Sequence, residues 1–464
     1  MTSDPVGTQR MRRPGPIARI VGALDDPVLR ALVTATTVAR IGRGVFLSIT
    51  VLYFIRVVGL NGAQAAIVLA AASGSSIVAS FLGGWLADRW SARRLSFTFE
   101  TAAGLLLVAY AFVDTFAAAI VLAVSSGFLD ALAQSSRSAV IARGFTGENR
   151  VHARAVLRTV TNLSIAAGSG IAAVALAIGT PVAYRVVIVL AGVVCALGAI
   201  PLLRLPSSVD ADARVAETIR TETGSVNTAA TAAAERELRR DWRARSPWRD
   251  PRYLLLTLFS AMFGMQFGVA EVGVPLWITH ATTAPDATVS VLLISNTVLV
   301  VLFQVRLSRN THDLRVAGRV SLIAGVLMAG ACLVYAAAAG LPVAAAVSVL
   351  LLALVAHTFA EILSQAGGWG LSFELADPVR AGAYQGVFGM TFSIASLVAP
   401  LLVNATAIAL GFAGWAILAA VFLGSAVGIA VIAFRAAREQ QREEVQVRDE
   451  EGPRDEERSR ATRG

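Results

Sequence analysis

Three carboxylic acids, Asp130, Glu271 and Glu361, lie inside long apolar stretches of this sequence. An ionised side chain costs roughly 2.5–3.5 kcal/mol at the centre of a bilayer, so such residues normally face a cavity or a partner of opposite charge. A carboxylate that binds a proton loses this cost and also loses its attraction for a cationic partner. We therefore predict that these acids bind and release protons.

Polar side chains accompany Glu361 at helical spacing. His357 lies four residues before it and Gln365 four residues after it, so the three share one face of a helix. An imidazole that titrates near neutral pH could pass a proton to the carboxylate. The alternative is a buried pair that serves packing, and the sequence leaves both open.

Two arginines, Arg40 and Arg43, lie one helical turn apart in the first apolar stretch. They could neutralise any of the three acids, or they could attract an anionic substrate. Three glutamines join them as candidates for lining a substrate cavity, namely Gln134, Gln266 and Gln365. Gln266 lies five residues before Glu271, so the two occupy different faces unless their helix is irregular, which three nearby glycines and Pro275 favour.

The depth of these residues limits how they combine. A helix rises about 1.5 Å per residue, which places Glu271 in the outer half of its span, and Asp130 and Glu361 in the inner half of theirs. The three acids are therefore not expected to form one cluster. Glu271 is the candidate for a site open to the outside, and Glu361 with His357 for a site nearer the cytoplasm.

The elements that position these side chains follow from composition. Hydrophobic residues make up 56% of the 464 positions and charged residues 15%, so the apolar surface exceeds what one water-soluble core could bury. A span needs roughly 20 mostly apolar residues. The sequence predicts twelve such spans in two groups of six, at 30–57, 62–86, 95–114, 116–142, 155–179, 182–203, 252–278, 288–308, 316–339, 342–366, 382–406 and 410–434.

The placement of arginine predicts the orientation in the membrane. The formal charge is +9, and with the N-terminus inside, most arginines lie in or beside cytoplasmic connections, which predicts that both termini are cytoplasmic. This distribution indicates a lipid bilayer partner and not nucleic acid. The inner (plasma) membrane is the expected location.

The absence of lysine from the sequence removes two kinds of chemistry. Neither a phosphate-binding G-x-x-x-x-G-K-[ST] loop nor a lysine Schiff base is possible. Metal-ligand spacings and a nucleophile elbow are also lacking, so we expect no enzyme activity and no cofactor. Uphill movement of a solute then requires an ion gradient, here a proton gradient, or a partner subunit.

Composition also divides the chain into segments. We predict a cytoplasmic lead at 1–29, helix bundles at 30–203 and 252–435, and a cytoplasmic linker at 204–250 in which 232–242 could form a surface helix. The charged tail at 436–464 lacks apolar periodicity and is predicted to be disordered. Cys195 and Cys332 fall in different halves, which favours packing over a disulfide.

A short repeat relates the two halves. The segment FLDALAQS in span 4 matches FAEILSQA in span 10, so Asp130 corresponds to Glu361 and Gln134 to Gln365. The offset is about half the chain, as expected for a transporter built from two related bundles. Spans 1, 4, 7 and 10, which carry the polar residues, are equivalent members of these repeats and are predicted to line one central pathway.

The connection after span 2 reads GGWLADRWSARR, from Gly83 to Arg94. It resembles the signature loop G-x-L-A-D-R-x-G-R-[KR]-[KR] of the major facilitator superfamily, in the position where that family carries it. The matching residues assigned to gating are Gly84, Asp88, Arg89, Arg93 and Arg94. An aspartate there can bind the positive N-terminal end of a neighbouring helix, while arginines can bridge to acids across the cytoplasmic gate. Asp130 and Glu100 are candidate acidic partners of this network.

The resemblance implies an all-α polytopic membrane protein with two pseudo-symmetric six-helix bundles, working as a monomer on a small-molecule substrate and protons. Its drug:proton antiporter branch implies efflux of amphipathic or lipophilic compounds by alternating access. Two alternatives remain at this stage. One is a facilitative or proton-coupled importer of a polar or anionic metabolite, and the other is a receptor or scaffold that transports nothing.

Overall fold

A computed structural model describes residues 25–210 and 245–461 of the chain. The first half contains six long helices, which are α1 Pro27–Arg56, α2 Gly62–Ala87, α3 Ala92–Tyr110, α4 Phe116–Gly144, α5 Gly147–Ile178 and α6 Pro181–Gly198. The short helical turns Ile200–Arg204 and Ser207–Val209 follow α6. The predicted surface helix at 232–242 and most of the predicted lead lie outside the described residues.

The second half repeats this plan. Its helices are α7 Pro251–Ala281, α8 Ala287–Leu307, α9 Leu314–Ala337, α10 Val343–Glu374, α11 Ala381–Val403 and α12 Phe412–Ala461. The turns Pro247–Arg249 and Pro378–Arg380 precede α7 and α11, and a π-helical turn Asn404–Ile408 follows α11. The predicted all-α fold with twelve helices in two groups of six is confirmed.

Local sequence explains where these helices begin and end. Side chains of Asp26, Ser91, Thr115 and Thr180 accept hydrogen bonds from backbone N–H groups in the first turns of α1, α3, α4 and α6. Asn61 and Gln64 form a reciprocal capping box at the start of α2. Each first turn thereby gains partners for backbone groups that the helix itself leaves unpaired.

Eleven of the twelve helices are long and apolar enough to cross a bilayer by themselves. The exception is α3, whose 19 residues include Arg93, Arg94 and Glu100. It packs against α4 and α6, and two of its charged residues, Arg93 and Glu100, have partners in those elements or near them. The position of α3 in the bundle therefore comes from its neighbours and not from its own hydropathy.

Helix α7 is irregular, as its glycines and Pro275 predict. It changes to π-helix over Val269–Gly273 before resuming as Val274–Ala281. Pro275 has no N–H to donate to the carbonyl of Glu271, so the regular bonding pattern fails at this point. The candidate acid Glu271 lies within the π-helical turn.

Helix α12 continues to Ala461 in place of the disordered tail predicted at 436–464. The prediction of disorder rested on the lack of apolar periodicity in this segment. Its Arg, Glu and Gln residues have high intrinsic helix propensity, however, and they extend a helix that is already formed.

The buried core shows how the halves meet. One apolar cluster includes residues of both halves, for example Val140 of α4 and Tyr384 of α11. A second cluster around Tyr53 and Tyr184 belongs to the first half alone, and a third around Trp415 belongs to the second half alone. The shared cluster lies at the end of the bundle that carries the α2–α3 connection, which we call the loop end. Among the described residues, the halves thus share a core at the loop end and have separate cores toward the opposite end.

Candidate functional site

The loop end is closed around Asp88, the residue after α2. Its carboxylate oxygens accept hydrogen bonds from the backbone N–H groups of Gly382 and Ala383, each at 2.7 Å, in the first turn of α11. Arg143 at the end of α4 donates to the same carboxylate and to the carbonyl of Ala87. A carboxylate of the first half therefore binds the positive end of a helix dipole in the second half.

Asp88 is only 4% exposed. Burial raises the pKa of its carboxyl above the ordinary value, while Arg143 and the two backbone N–H groups oppose that shift. The three donors compensate the ionised form, and so the carboxylate can remain charged away from water.

Glycine allows α2 and α11 to approach closely beside Asp88. A Cβ atom on Gly84 would lie 2.0 Å from the carbonyl oxygen of Gly382, and one on Gly386 would lie 2.7 Å from the carbonyl oxygen of Ser80. Such contacts require a residue without a side chain. The glycine of the signature loop thus has a packing role in the interface between the halves.

The arginines of the loop point in different directions. Arg89 stacks on Trp85, with its guanidinium carbon 3.7 Å from the ring centroid. Arg93 donates to the carbonyl of Leu205 at 2.9 Å and lies 3.8 Å from Asp210, both of which follow α6. Arg94 is exposed. Arg93 therefore joins parts of the first half, whereas a bridge across the gate was predicted for it.

Two further ion pairs join the halves at the loop end. Arg150 of α5 lies 3.5 Å from Glu374 of α10, and Arg309 after α8 lies 3.8 Å from Glu148 of α5. The second pair is exposed, with side-chain accessibilities of 58% and 44%. The contacts of Asp88 are more buried than either pair and are the better candidate for controlling opening.

The charged residues in the middle of the first half form a connected cluster. Arg43 of α1 pairs with Asp130 of α4 at 2.7 Å, and Arg40 donates to Gln134 at 3.0 Å. Four predicted residues are therefore brought together. Asp130 has a partner in the middle of its own half and does not contact the loop.

A neighbouring pair completes this cluster. Arg137 of α4 donates to Glu100 of α3 at 2.5 Å and to Thr36 of α1 at 3.1 Å. The side chains of Arg137 and Glu100 are 6% and 11% exposed. Glu100 thus has an arginine partner inside the bundle and is not part of the gating loop.

Glu361 is at the centre of a second cluster. Its carboxylate accepts hydrogen bonds from Arg158 of α5 at 3.0 Å, Asn296 of α8 at 3.1 Å and Gln365 at 3.2 Å. The Glu361 side chain is 5% exposed. The Arg158 side chain is 25% exposed. It belongs to the first half, so this partly buried ion pair joins the two halves of the protein.

His357 and Gln266 lie beside this cluster. The imidazole of His357 is buried, its Nδ1 has no hydrogen-bond partner, and its edge faces the ring of Tyr335. Gln266 donates to Ser364 at 3.0 Å. The three donors bound to the Glu361 carboxylate are Arg158, Asn296 and Gln365, and so His357 is adjacent in sequence without being one of its partners.

Glu271 is exposed and lies in the π-helical turn of α7. It is 20 residues, or about 30 Å, from the start of α7 at the loop end. The span of α10 was predicted to end at 366, but α10 continues to Glu374, so Glu361 lies roughly 20 Å from the loop end of its helix. The separation of these two acids by depth, and that of Asp130 from both, stay predictions.

Comparison with known proteins identifies the family. The sequence profile of the Major Facilitator Superfamily matches residues 32–400. This chain belongs to that superfamily. The facilitator is accordingly a transporter of the general secondary-transport kind that handles small molecules. No curated protein matches it in sequence.

Solved facilitator structures share the fold at low sequence identity. The human organic anion transporter MFSD10 (TETRAN) is 15% identical, with a TM-score of 0.64, and the match covers 87% of this chain and 99% of that one. A bacterial homologue of the iron transporter ferroportin, in an outward-facing state, is 13% identical with a TM-score of 0.65, covering 88% and 98%. The proton:xylose symporter XylE, bound to 6-bromo-6-deoxy-D-glucose, is 15% identical with a TM-score of 0.62, covering 91% and 96%.

Sequence reasoning missed the arginines that pair with the acids of this facilitator, namely Arg137, Arg143 and Arg158. Arg137 and Arg158 fall within the predicted spans 4 and 5, so the cost of a buried charge that singled out the acids applied to them equally. Arg137 also lies seven residues after Asp130, two helical turns along the same face. Asn296 of α8 gave no comparable signal, since a lone amide in an apolar span is common.

Proposed function

We propose that this facilitator exports small amphipathic or lipophilic compounds by alternating access, driven by protons that enter from outside. The loop end and both termini then face the cytoplasm, as the excess of arginine at that end favours. The observation that carries the proposal is the ion pair between Arg158 of one half and the buried Glu361 of the other.

Protonation of Glu361 changes the energy of this contact. A neutral carboxyl no longer attracts the Arg158 guanidinium, and it no longer carries the desolvation cost of a buried charge. Since the two residues belong to different halves, the change acts directly on the equilibrium between the closed and open arrangements of the loop end. Binding of a proton can thereby drive a conformational change.

The cycle for export follows from this coupling. A proton that reaches Glu361 from outside weakens the ion pair and lets the loop end open to the cytoplasm. Substrate then enters while the proton leaves to the cytoplasm, and the ionised Glu361 re-forms its contact with Arg158. Closure of the loop end exposes the substrate to the outside, so one proton moves in for each substrate moved out.

Glu271 has a complementary part in the proposal. Its exposed carboxylate lies in the π-helical turn of α7, farther from the loop end than Glu361, so a proton from outside can reach it before Glu361. His357, one turn before Glu361 on α10, offers a buried nitrogen without a partner on the same route. Gln266 and Gln365 line this region and supply polar contacts for a substrate.

Import of an anionic metabolite has less support. The arginines that suggested it, Arg40 and Arg43, face a cavity of about 40 Å³ in which Arg43 is already paired with Asp130. A volume of this size holds a few waters. The arginines are better explained as part of the first half than as a substrate site.

The proposal is tested with purified protein in liposomes that contain the pH indicator pyranine. Ethidium serves as a lipophilic probe, and its movement is followed together with the luminal pH under an imposed proton gradient. We expect the wild-type protein to move ethidium against protons, and Glu361→Gln to abolish the coupled proton movement. Glu271→Gln should lower the rate and shift its pH dependence.

The matched control is Glu439→Gln, because this glutamate lies on α12 and its side chain is 60% exposed. It should behave as the wild-type protein does. Unchanged pH-dependent transport in both Glu271→Gln and Glu361→Gln contradicts the assignment of these acids. Ethidium movement down the proton gradient, in the same direction as protons, contradicts export.

A further inference from the structure

The charged cluster of the first half contains more positive than negative charges. Arg40, Arg43 and Arg137 contribute three positive charges, and Asp130 and Glu100 contribute two negative ones. Arg43 pairs with Asp130 and Arg137 pairs with Glu100, which leaves Arg40 with the neutral Gln134 as its hydrogen-bond partner. In the described part of the chain, Arg40 has no ion pair.

The surplus cation, Arg40, is half-buried within the first half. The Nε atoms of both Arg40 and Arg137 are buried without a hydrogen-bond partner, and Arg137 is only 5% exposed. The half-buried Arg154 of α5 adds a further positive charge near Arg137. A surplus cation that is partly withdrawn from water favours a counter-ion.

The space for a counter-ion is present next to these donors. A cavity of about 40 Å³ lies between α1, α3, α4 and α6, and its lining includes Arg40, Arg43, Glu100, Asp130 and Cys195. The side chains of Arg43 and Asp130 are each 35% exposed, which leaves a route of entry. The volume admits a monatomic anion.

We propose that this cavity is a binding site for a small inorganic anion, with chloride as the natural candidate, held by Arg40 and neutralising the cluster. The anion lies within the first half and remains bound while the halves move. It is a structural ligand that fixes the charged pairs of α1, α3 and α4. The site does not depend on which substrate is transported or in which direction.

The test uses thermal unfolding of the full-length protein in detergent, with chloride titrated against gluconate at constant ionic strength. Gluconate carries the same charge as chloride but is much larger. We expect Tm to rise by a few degrees with a saturable dependence on chloride, as for a ligand that binds only the folded state. Arg40→Gln should abolish the chloride dependence and should raise Tm in chloride-free buffer, because it removes the uncompensated charge.

Arg56→Gln is the matched control, since it makes the same change at an exposed position of the same helix. It should retain the chloride dependence of the wild-type protein. A wild-type Tm without saturable chloride dependence overturns the proposal, and so does the same dependence in Arg40→Gln. If Arg40→Gln does not fold, crystals of the wild-type protein in bromide decide the matter, because an anomalous peak is expected in this cavity and its absence overturns the site.

Discussion

The two halves of this facilitator carry acids at equivalent positions. One acid is neutralised by an arginine of its own half and the other by an arginine of the opposite half. Asp130 in α4 pairs with Arg43 of its own half at 2.7 Å, whereas Glu361 in α10 pairs with Arg158 of the opposite half at 3.0 Å. The glutamine one turn later also differs, because Gln134 accepts from Arg40 and Gln365 donates to Glu361. Equivalent sequence positions thus have different partners.

This difference separates structural charges from mobile ones. A pair within one half moves with that half as a rigid body, so opening and closing of the loop end leaves it intact. A pair between halves must lengthen or break when the halves rotate apart. In the proposed cycle, protonation therefore controls the conformation through Glu361, whereas the same change at Asp130 is expected to act on the stability of the first half.

The connections between the second and third helices of each half show the opposite asymmetry. Asp88 in the α2–α3 connection binds the N-terminus of α11 in the other half. In the α8–α9 connection, Asp313 caps α9 of its own half. The side-chain amide of Gln304 donates to the hydroxyl of Ser308 at the end of α8. In the proposed cycle, the first half contributes the gate and the second half contributes the carboxylate that can release it.

The largest predicted effect distinguishes these two aspartates. Asp88→Asn leaves the buried Arg143 without its carboxylate, and loss of one partner from a buried pair costs about 3–5 kcal/mol. Asp313→Asn should change stability by less than about 0.5 kcal/mol, since asparagine caps a helix as well as aspartate. Chemical unfolding or thermal unfolding of both variants in detergent measures the difference.

The same variants should differ in conformation. Asp88→Asn is expected to favour opening of the loop end, which spin labels at Glu148→Cys and Arg309→Cys would report as a longer distance between the halves. Cys195 and Cys332 are buried and should resist labelling. Equal behaviour of Asp88→Asn and Asp313→Asn would show that the connections of the two halves are equivalent after all.

A smaller effect is expected from the close approach of α2 and α11. A methyl group on Gly84 meets the backbone of Gly382, whereas one on Gly74 in the same helix meets nothing within 4 Å. Gly84→Ala should therefore destabilise the closed loop end by about 1–3 kcal/mol through overpacking. Gly74→Ala should be neutral or stabilising by up to about 1 kcal/mol, because alanine is the better helix former.

Distances between the same spin labels measure this prediction, with Gly74→Ala as the control for helix propensity. A closed population that is unchanged in Gly84→Ala would mean that the interface tolerates separation. The gate would then depend on the contacts of Asp88 alone.

Most of the fold could be predicted from the sequence, because span length and apolar content are set by the bilayer. The number of helices, their grouping in two sets of six, and the irregularity of α7 at Pro275 all follow from such local signals. The helical continuation of α12 could not be predicted in the same way. It depends on a preceding helix that removes the cost of nucleation.

The candidate site was less predictable. Cost of burial identified Asp130, Glu271 and Glu361, but it could not say which cation each acid binds, since that depends on the rotation of helices from different parts of the chain. The pairing of Glu361 with Arg158 joins residues of α10 and α5. The sequence also placed the end of α10 too early, because the helix continues beyond its apolar segment to Glu374.

The smallest predicted effect concerns an exposed pair that also joins the halves. Arg309 and Glu148 lie 3.8 Å apart at the loop end, with side chains 58% and 44% exposed. Pairs of this kind contribute about 0–1 kcal/mol and are screened by salt. Arg309→Gln should therefore shift Tm no more than Arg306→Gln, because Arg306 is an exposed neighbour at the same end of the helix.

A destabilisation by Arg309→Gln that is comparable with that of Asp88→Asn and persists at high salt would contradict this prediction. It would mean that any contact between the halves is important, whether buried or exposed. We instead expect a contact between the halves to control the gate only where it is buried.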